Sequence, residues 1–141
     1  MSRLIRLKSK GGFTLIELVI VLAIAALIIA AVLLAVSGAQ KSRRDTQRKN
    51  DLGQISAELE QYASNNSGSY PATQAAFNTA FTGAYANANW KDPLSGAAYD
   101  FAGAQAPTTA NSAGIAYTVS GRTYTVCINL EVGGTDCDTN Q

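Results

Sequence analysis

The 141-residue sequence contains no histidine, only two cysteines and only three prolines. Without histidine, the chain lacks the side chain that most often serves as a general base or as a metal-binding nitrogen. Without a second pair of cysteines, it lacks the sulfur ligands of a structural zinc site. Charged residues are 15% of the chain and the formal net charge is +1, which does not favour a nucleic-acid partner. We therefore predict that the protein is not an enzyme.

No proline occurs before Pro71, so nothing earlier in the chain forces a helix to break. Residues 13–36 form an uninterrupted apolar run in which only Thr14 and Glu17 are polar. A helix of this length spans about 36 Å, which exceeds the bilayer core of roughly 30 Å. The run therefore predicts a membrane-spanning helix. A secretory signal cleaved near residues 37–39 is the alternative, although its apolar region would be shorter, at about 7–15 residues.

A second helical pattern follows the apolar run, over residues 37–66. Four apolar residues recur there at spacings that place them on one helix face: Leu52, Ile55, Leu59 and Tyr62. The sequence Asn65-Asn66-Ser67-Gly68, with Pro71 just beyond it, is a helix stop signal. We therefore expect one continuous helix of about 50 residues, apolar all round in its first half and amphipathic in its second.

The remaining residues, 67–141, predict a small globular head. Residues 73–81 favour a short helix that places Phe77 and Phe81 four positions apart. Two alternating segments on either side of a Ser120-Gly121 turn predict antiparallel strands, with apolar positions at Ile115, Tyr117, Val119, Tyr124, Val126, Ile128, Leu130 and Val132. A strand near residues 99–102 would complete a three-stranded sheet that packs on the helix stripe. The expected fold class is α+β, a long N-terminal α-helix packed against a small C-terminal antiparallel β-sheet.

The two cysteines, Cys127 and Cys137, both lie in the C-terminal region. Cys127 has the opposite parity to the apolar positions of its strand, so it faces away from the helix, where Cys137 could tie down the tail. Two cysteines this close in a small domain suggest a disulfide and hence an oxidising compartment. Two free thiols are the alternative, which a thiol titration with and without reductant would distinguish.

A basic leader, residues 1–12, precedes the apolar run and ends in two glycines. The junction Lys10-Gly11-Gly12-Phe13-Thr14-Leu15-Ile16-Glu17 resembles the class III signal of type IV pilins and pseudopilins. The close resemblance covers about residues 8–65. It implies that a membrane peptidase, the prepilin peptidase, cuts after Gly12 and methylates the new N-terminal residue, Phe13. It also implies that Phe13 and Glu17 carry subunit assembly.

Glu17 lies within the apolar run, where a carboxylate costs a few kcal/mol unless it finds a partner. Cleavage after Gly12 would create a positive amine on Phe13, about one helical turn away. Paired between two subunits, the two charges cancel, whereas a subunit at the wrong axial height leaves one charge buried and unpaired. We therefore predict that Glu17 sets the register of subunits in a filament. The alternative is a glutamate whose side chain reaches the lipid headgroups.

The resemblance implies a structural subunit, a pilin or pseudopilin, of a type IV pilus-like or type II secretion filament. Its domains would be the cleaved leader (1–12), a transmembrane and assembly half-helix (13–36), an amphipathic half-helix (37–66) and a globular head (67–141). The expected partners are copies of itself or related pilins, the prepilin peptidase, an assembly ATPase and an inner-membrane platform. The alternative is a single-span, membrane-anchored monomer that displays a small binding domain.

Basic residues flank the apolar run on both sides, so their count does not settle its orientation, and the cysteines and the resemblance predict the location of the chain. Before assembly it would lie in the cytoplasmic membrane, with the N-terminus cytoplasmic and the head extracytoplasmic. After assembly it would belong to an extracellular or periplasmic filament. The charged stretch 41–51 is interpreted as solvated helix surface above the headgroups, with ion pairs between neighbouring subunits. DNA binding by this stretch is the alternative, but the stretch lacks the interleaved aromatic side chains on which bases stack.

Two comparisons with the family bear on the helix and the head. Many members carry a proline near the end of the apolar segment, where the helix melts in the filament, but this chain has Leu34 at that position. Residues 90–96 loosely resemble the Asp-Pro loop of major pseudopilin heads, several of which hold calcium nearby. We expect no cofactor. Calcium is the alternative, and its candidate oxygen ligands are Asp92, Asp100, Asp136 and Asp138.

Overall fold

The computed structural model describes residues 11–102, 107 and 111–140, so most of the predicted leader lies outside the described residues. Its elements are α1 (Leu15–Asn65), α2 (Gln74–Thr82), β1 (Ile115–Ser120), β2 (Thr123–Asn129) and β3 (Thr135–Thr139). The predicted α+β class is confirmed, with a long N-terminal helix and a small antiparallel sheet. The chain forms two compact units, which divide between Gly38 and Ala39.

The described part of the first unit is the apolar beginning of α1. Every large apolar side chain from Leu15 to Val36 is exposed, between 44% for Val36 and 81% for Leu15. The helix continues through Leu34 without a break, because no proline removes a backbone donor there. The predicted continuous helix is therefore confirmed for the isolated chain.

The end of α1 lies at the predicted stop signal. Ser67 and Gly68 adopt positive φ angles of 57° and 78°, which the helical backbone cannot continue through. The Gly68 N–H turns back and donates to the Ala63 carbonyl at 2.7 Å. This bond satisfies one of the carbonyl groups that a helix end leaves without a partner.

The second unit is built around one apolar core, in which the stripe on α1 meets the sheet, as predicted. The core comprises Leu52, Ile55, Leu59, Phe77, Phe81, Trp90, Tyr99, Phe101, Ala113, Ile115, Tyr117, Tyr124, Val126, Ile128 and Leu130. Two predicted positions differ. Tyr62 is only half-buried and packs on Tyr85, with ring centroids 5.2 Å apart. Val132 is 57% exposed, because β2 ends at Asn129 and the Val132 N–H donates instead to Asp45.

The short helix α2 forms where the sequence predicts it. Thr73 caps its first turn by accepting a hydrogen bond from the Ala76 N–H at 3.1 Å. Phe77 and Phe81 lie on the same face, with ring centroids 4.5 Å apart, and both are buried. Gln74 bonds the outer edge of β1, accepting from the Tyr117 N–H at 2.6 Å, so α2 blocks that edge from pairing with another strand.

The sheet has the order β1-β2-β3, and both pairings are antiparallel. The prediction of its third strand at residues 99–102 is wrong, since that strand is β3. Asp100 instead makes an isolated bridge to Gly114, and its side chain accepts from the Ala102 N–H at 2.9 Å, which bends the chain away from an extended course. A turn with positive φ at Gly133 and Gly134 brings β3 back beside β2.

Candidate functional site

The residues predicted to govern processing and assembly lie at the start of α1. Gly12 and Phe13 precede the helix, and Phe13 is 94% exposed. The N–H and hydroxyl of Thr14 both donate to Oε2 of Glu17 at 2.8 Å. The Glu17 N–H donates back to the Thr14 hydroxyl oxygen at 3.3 Å. Together these bonds form a capping box, which satisfies backbone donors that the first helical turn leaves without partners.

The second carboxylate oxygen of Glu17 has different surroundings. No donor within the described residues bonds Oε1, and the side chain is exposed. The sequence interpretation missed the capping role of Glu17, although Thr-x-x-Glu directly before an apolar run is its known signature. The structure therefore gives Glu17 one oxygen engaged within its own chain and one oxygen open to another group.

The apolar part of α1 supplies the surface on which this carboxylate lies. Among the described residues, α1 is the one helix long and apolar enough to cross a membrane, with a mean hydropathy of 3.4 over its most apolar window. None of that window is buried. An apolar surface of this extent is unstable in water and requires lipid or other protein chains to cover it.

A buried charged cluster occupies the second unit, and we call it the Arg48 cluster. Its members are Arg44, Asp45, Arg48, Asp92 and Glu131. The Arg48 guanidinium, which is 0% exposed, donates to both oxygens of Asp92 at 2.9 and 3.0 Å. It also donates to Asp45 at 2.8 Å and to Glu131 at 2.9 Å. The cluster thus joins α1 to the loop at residue 92 and to the end of the sheet.

The remaining bonds of the cluster fasten backbone as well as side chains. Asp45 accepts from the N–H groups of Glu131 and Val132, both at 2.9 Å. Arg44 forms a two-bonded pair with Glu131, at 2.6 and 2.7 Å. Paired, planar contacts of this kind are the geometry that arginine and carboxylate groups favour. Side-chain and backbone hydrogen bonds of the Arg48 cluster therefore connect α1 to the segment that follows β2.

Two carboxylates of the cluster, Asp92 and Glu131, are held in their charged form. Burial acts to raise the pKa of Asp92, but hydrogen bonds from Arg48 and from three backbone N–H groups outweigh it, so the pKa lies below its ordinary value. Hydrogen bonds from Arg44 and then from Arg48 lower the pKa of Glu131 against a smaller effect of burial. Both acids are therefore charged at neutral pH.

The interpretation of residues 41–51 as a solvated surface is wrong for three of its seven charged residues. Asp45, Arg48 and Asp51 are buried, and Arg44 and Arg48 bond carboxylates of their own chain. The reason is that these positions share the helix face of the apolar stripe, so the head covers them. Asp51 accepts a hydrogen bond from the buried Tyr99 hydroxyl at 2.6 Å.

The four calcium candidates are not brought together as a metal site. Asp92 is fully buried, and besides Arg48 its oxygens accept from the backbone N–H groups of Leu94, Ser95 and Ala113. Asp136 and Asp138 both lie on β3, opposite Ile128 and Val126. Within the described part of the chain, no three His, Cys, Asp or Glu side chains form a group suited to a metal ion. The Asp92 carboxylate therefore does not fit the role of a calcium ligand.

The disulfide predicted in the head is present. Cys127 and Cys137 are bonded, and they face each other across the β2–β3 pairing. Cys127 is half-buried and Cys137 is exposed, whereas Val126 and Ile128 on either side of Cys127 are buried. The predicted orientation of Cys127 is thereby confirmed, since the disulfide lies on the sheet face opposite the core.

Comparison with known protein families places a defined motif on the N-terminal end. Residues 7–33 match the prokaryotic N-terminal methylation motif, and the match includes Gly12, Phe13 and Glu17. No curated protein and no solved structure matches the chain. The matched motif is the class III signal of type IV pilins and pseudopilins. Together with the α+β fold, it supports a type IV pilin-like or pseudopilin precursor, which is a structural protein.

Proposed function

We propose that the chain is a precursor of a filament subunit, in a type IV pilus-like or type II secretion filament. The prepilin peptidase would cut it after Gly12 and methylate Phe13, and the apolar part of α1 would then pack against other subunits. One observation carries the proposal: the methylation motif coincides with a helix whose apolar side chains are exposed on all sides. In the membrane, lipid covers this surface, and in a filament, neighbouring helices replace the lipid.

The two oxygens of Glu17 support a role in assembly. Oε2 accepts both bonds from Thr14, so the carboxylate is held in place at the first turn of α1. Oε1 is then available to the amine that cleavage would create on Phe13 of a neighbouring subunit. A charge-assisted bond between these groups in an apolar environment stabilises the correct axial position, because any other position leaves a buried charge unpaired.

The expected partners are copies of the chain or related pilins, an assembly ATPase and an inner-membrane platform. Before assembly, the chain would lie in the cytoplasmic membrane with its head outside the cytoplasm. On assembly, it would leave the membrane and join an extracellular or periplasmic filament. The disulfide between Cys127 and Cys137 supports an oxidising compartment for the head.

A single-span, membrane-anchored monomer with a binding head is the second candidate. The capping box favours it, because capping gives Glu17 a function within its own chain that needs no neighbour. The filament subunit and the anchored monomer differ in whether the negative charge of Glu17 is required. In the filament the charge itself is required, whereas a capping box works with glutamine as well as with glutamate.

The deciding experiment replaces Glu17 in cells that carry the assembly machinery. Glu17→Gln keeps a capping oxygen and removes the charge, and Glu17→Leu removes both. Both variants leave the Phe13 amine of a neighbouring subunit without a counter-charge in the apolar region, which costs about 3 kcal/mol. We therefore expect both variants to lower the yield of sheared filaments by roughly 100-fold. Membrane insertion of both variants should be unchanged. Glu58→Leu, which removes another acid of α1, is the matched control and should form filaments normally.

Two results would contradict the proposal. Filament yields of Glu17→Gln equal to those of the unmodified chain would show that the charge has no role in assembly, and capping would suffice to explain Glu17. A mature chain that keeps residues 1–12 in mass analysis would favour the anchored monomer. A mature chain that starts at a methylated Phe13 is the result we expect.

A further inference from the structure

The Arg48 cluster has the composition of a cation site that is already filled. Three carboxylates from separate parts of the chain bond a single guanidinium: Asp45 on α1, Asp92 in a loop and Glu131 after β2. Calcium is also bound by several carboxylates, and it needs about 6–8 oxygen ligands. This guanidinium belongs to Arg48 of the chain itself and is 0% exposed.

The hydrogen bonds of Asp92 leave no room for a second cation. Its Oδ1 accepts from Arg48, Leu94 and Ser95 at distances of 2.8 to 3.0 Å. Its Oδ2 accepts from Arg48 at 2.9 Å and from the Ala113 N–H at 3.1 Å. A carboxylate oxygen offers about two lone pairs. A metal could therefore bind Asp92 only by displacing the buried guanidinium or the backbone donors.

Arg48 also supplies the counter-charge that the buried Asp92 carboxylate needs. Two arginines face three carboxylates, so the cluster carries a formal charge of −1. Removal of Arg48 would leave Asp92 buried without a counter-charge, and breaking a buried ion pair in this way is strongly destabilising. The binding of calcium would have to offset the stability lost with the Arg48–Asp92 ion pair and also the cost of dehydrating the calcium ion.

We propose that Arg48 is the built-in cation of this head, which holds the loop at residue 92 and the end of the sheet against α1 without calcium. The proposal concerns the folding of the head and does not depend on the filament function. It also explains why the charge lies at an interior position of α1, since there the guanidinium reaches carboxylates 44 and 83 positions further along the chain.

The first test measures thermal unfolding of the full chain in detergent, in calcium and in a calcium chelator. Trp90 is the only tryptophan of the chain and is 2% exposed, so its fluorescence reports on unfolding beside Asp92. We expect Tm to differ by less than about 1 °C between the two conditions, because a ligand that does not bind the folded state cannot stabilise it. A saturable rise of Tm with calcium would overturn the proposal.

The second test changes the guanidinium. Arg48→Met should lower Tm by roughly 10 °C or more, and Arg48→Lys, which keeps the charge but loses the planar donor fork, should lower it by less. Arg43→Met is the matched control, because Arg43 is exposed on the same helix and no ion pair to it is found in the described residues. If Arg48→Met does not fold, the Arg48→Lys value decides. A Tm of Arg48→Lys equal to that of the control would overturn the proposal.

Discussion

Glu17 carries two carboxylate oxygens whose surroundings differ within its own chain. Oε2 is bonded twice by Thr14, and this bonding orients the carboxylate at the start of α1. The sequence predicts an acid in need of a partner, and the structure shows that part of this need is met locally. In the proposed filament, the partly satisfied carboxylate would remain in the apolar environment until the amine of a neighbouring subunit bonds its second oxygen.

Gly12 has a prediction of its own at the residue scale. A Cβ at Gly12 would meet no atom within 4 Å, so Gly12→Val should not disturb the fold of the chain. A protease that accepts an extended backbone with no side chain should nevertheless fail to cut the variant. We expect mass analysis to find the leader retained on most Gly12→Val chains.

The control for this prediction is Gly38→Val, the same substitution in α1 at a position where a Cβ also meets nothing within 4 Å. Its leader should be removed as in the unmodified chain. Equal processing of Gly12→Val and Gly38→Val would mean that Gly12 is not part of the cleavage site.

At the scale of the elements, α1 has two halves with opposite surroundings. Its first half exposes apolar side chains on all sides, whereas its second half buries Leu52, Ile55 and Leu59 under the head. In the proposed function, the first half of α1 would pass from lipid to a protein assembly, and the head would keep its own core during this change.

The strand β3 contributes little apolar surface, and the disulfide adds to the backbone pairing that attaches it to β2. Four of its five residues are exposed and the fifth is half-buried. The loop between the cysteines is short, and on the chain-entropy model its closure stabilises the head by up to about 3 kcal/mol. We therefore expect reductant to speed amide hydrogen exchange in β3 while the β1 and β2 amides stay protected.

The matched variant replaces Cys127 and Cys137 together with serine. Its exchange pattern should equal that of the reduced chain and should not respond to reductant. Unchanged protection of β3 after confirmed reduction would show that backbone pairing to β2 alone holds the strand.

At the scale of the whole molecule, the charged cluster decides how the protein responds to acid. The folded-state pKa values of Asp92 and Glu131 lie below the ordinary values of 3.8 and 4.5. Such groups stabilise the fold above their unfolded pKa, and the stabilisation is lost as the pH falls through the folded pKa. Asp51 acts in the opposite direction, since burial raises its pKa against a smaller effect of the Tyr99 bond, and its protonation favours the folded state.

We therefore expect Tm to be nearly constant from neutral pH to about pH 5 and to fall below about pH 4. Asp92→Asn should lower Tm at neutral pH and flatten the acid decline, because it removes one of the two groups that cause it. Asp51→Asn is the control and should leave the decline at least as steep. A decline in Asp92→Asn as steep as in the unmodified chain would assign the acid response to other groups.

Several parts of the fold and site could be predicted from local patterns. The apolar run, the stripe at helical spacing, the stop signal and the phenylalanine pair of α2 are all confirmed. The errors arise where partners are distant in the chain. The third strand lies at β3 and not at residues 99–102, because the side chain of Asp100 bends the chain there. Arg48 looked like surface because its acidic partners lie far along the sequence.

The order of the residues alone determined the motif at Gly12, Phe13 and Glu17, the length of α1 and the α+β class, since each depends on neighbours within a few turns of helix or strand. Only the tertiary structure decided which charges are buried and what Arg48 binds. The physical reason is that a buried ion pair joins chain segments that the folded core brings together. A periodic sequence pattern carries no information about which distant segments come into contact.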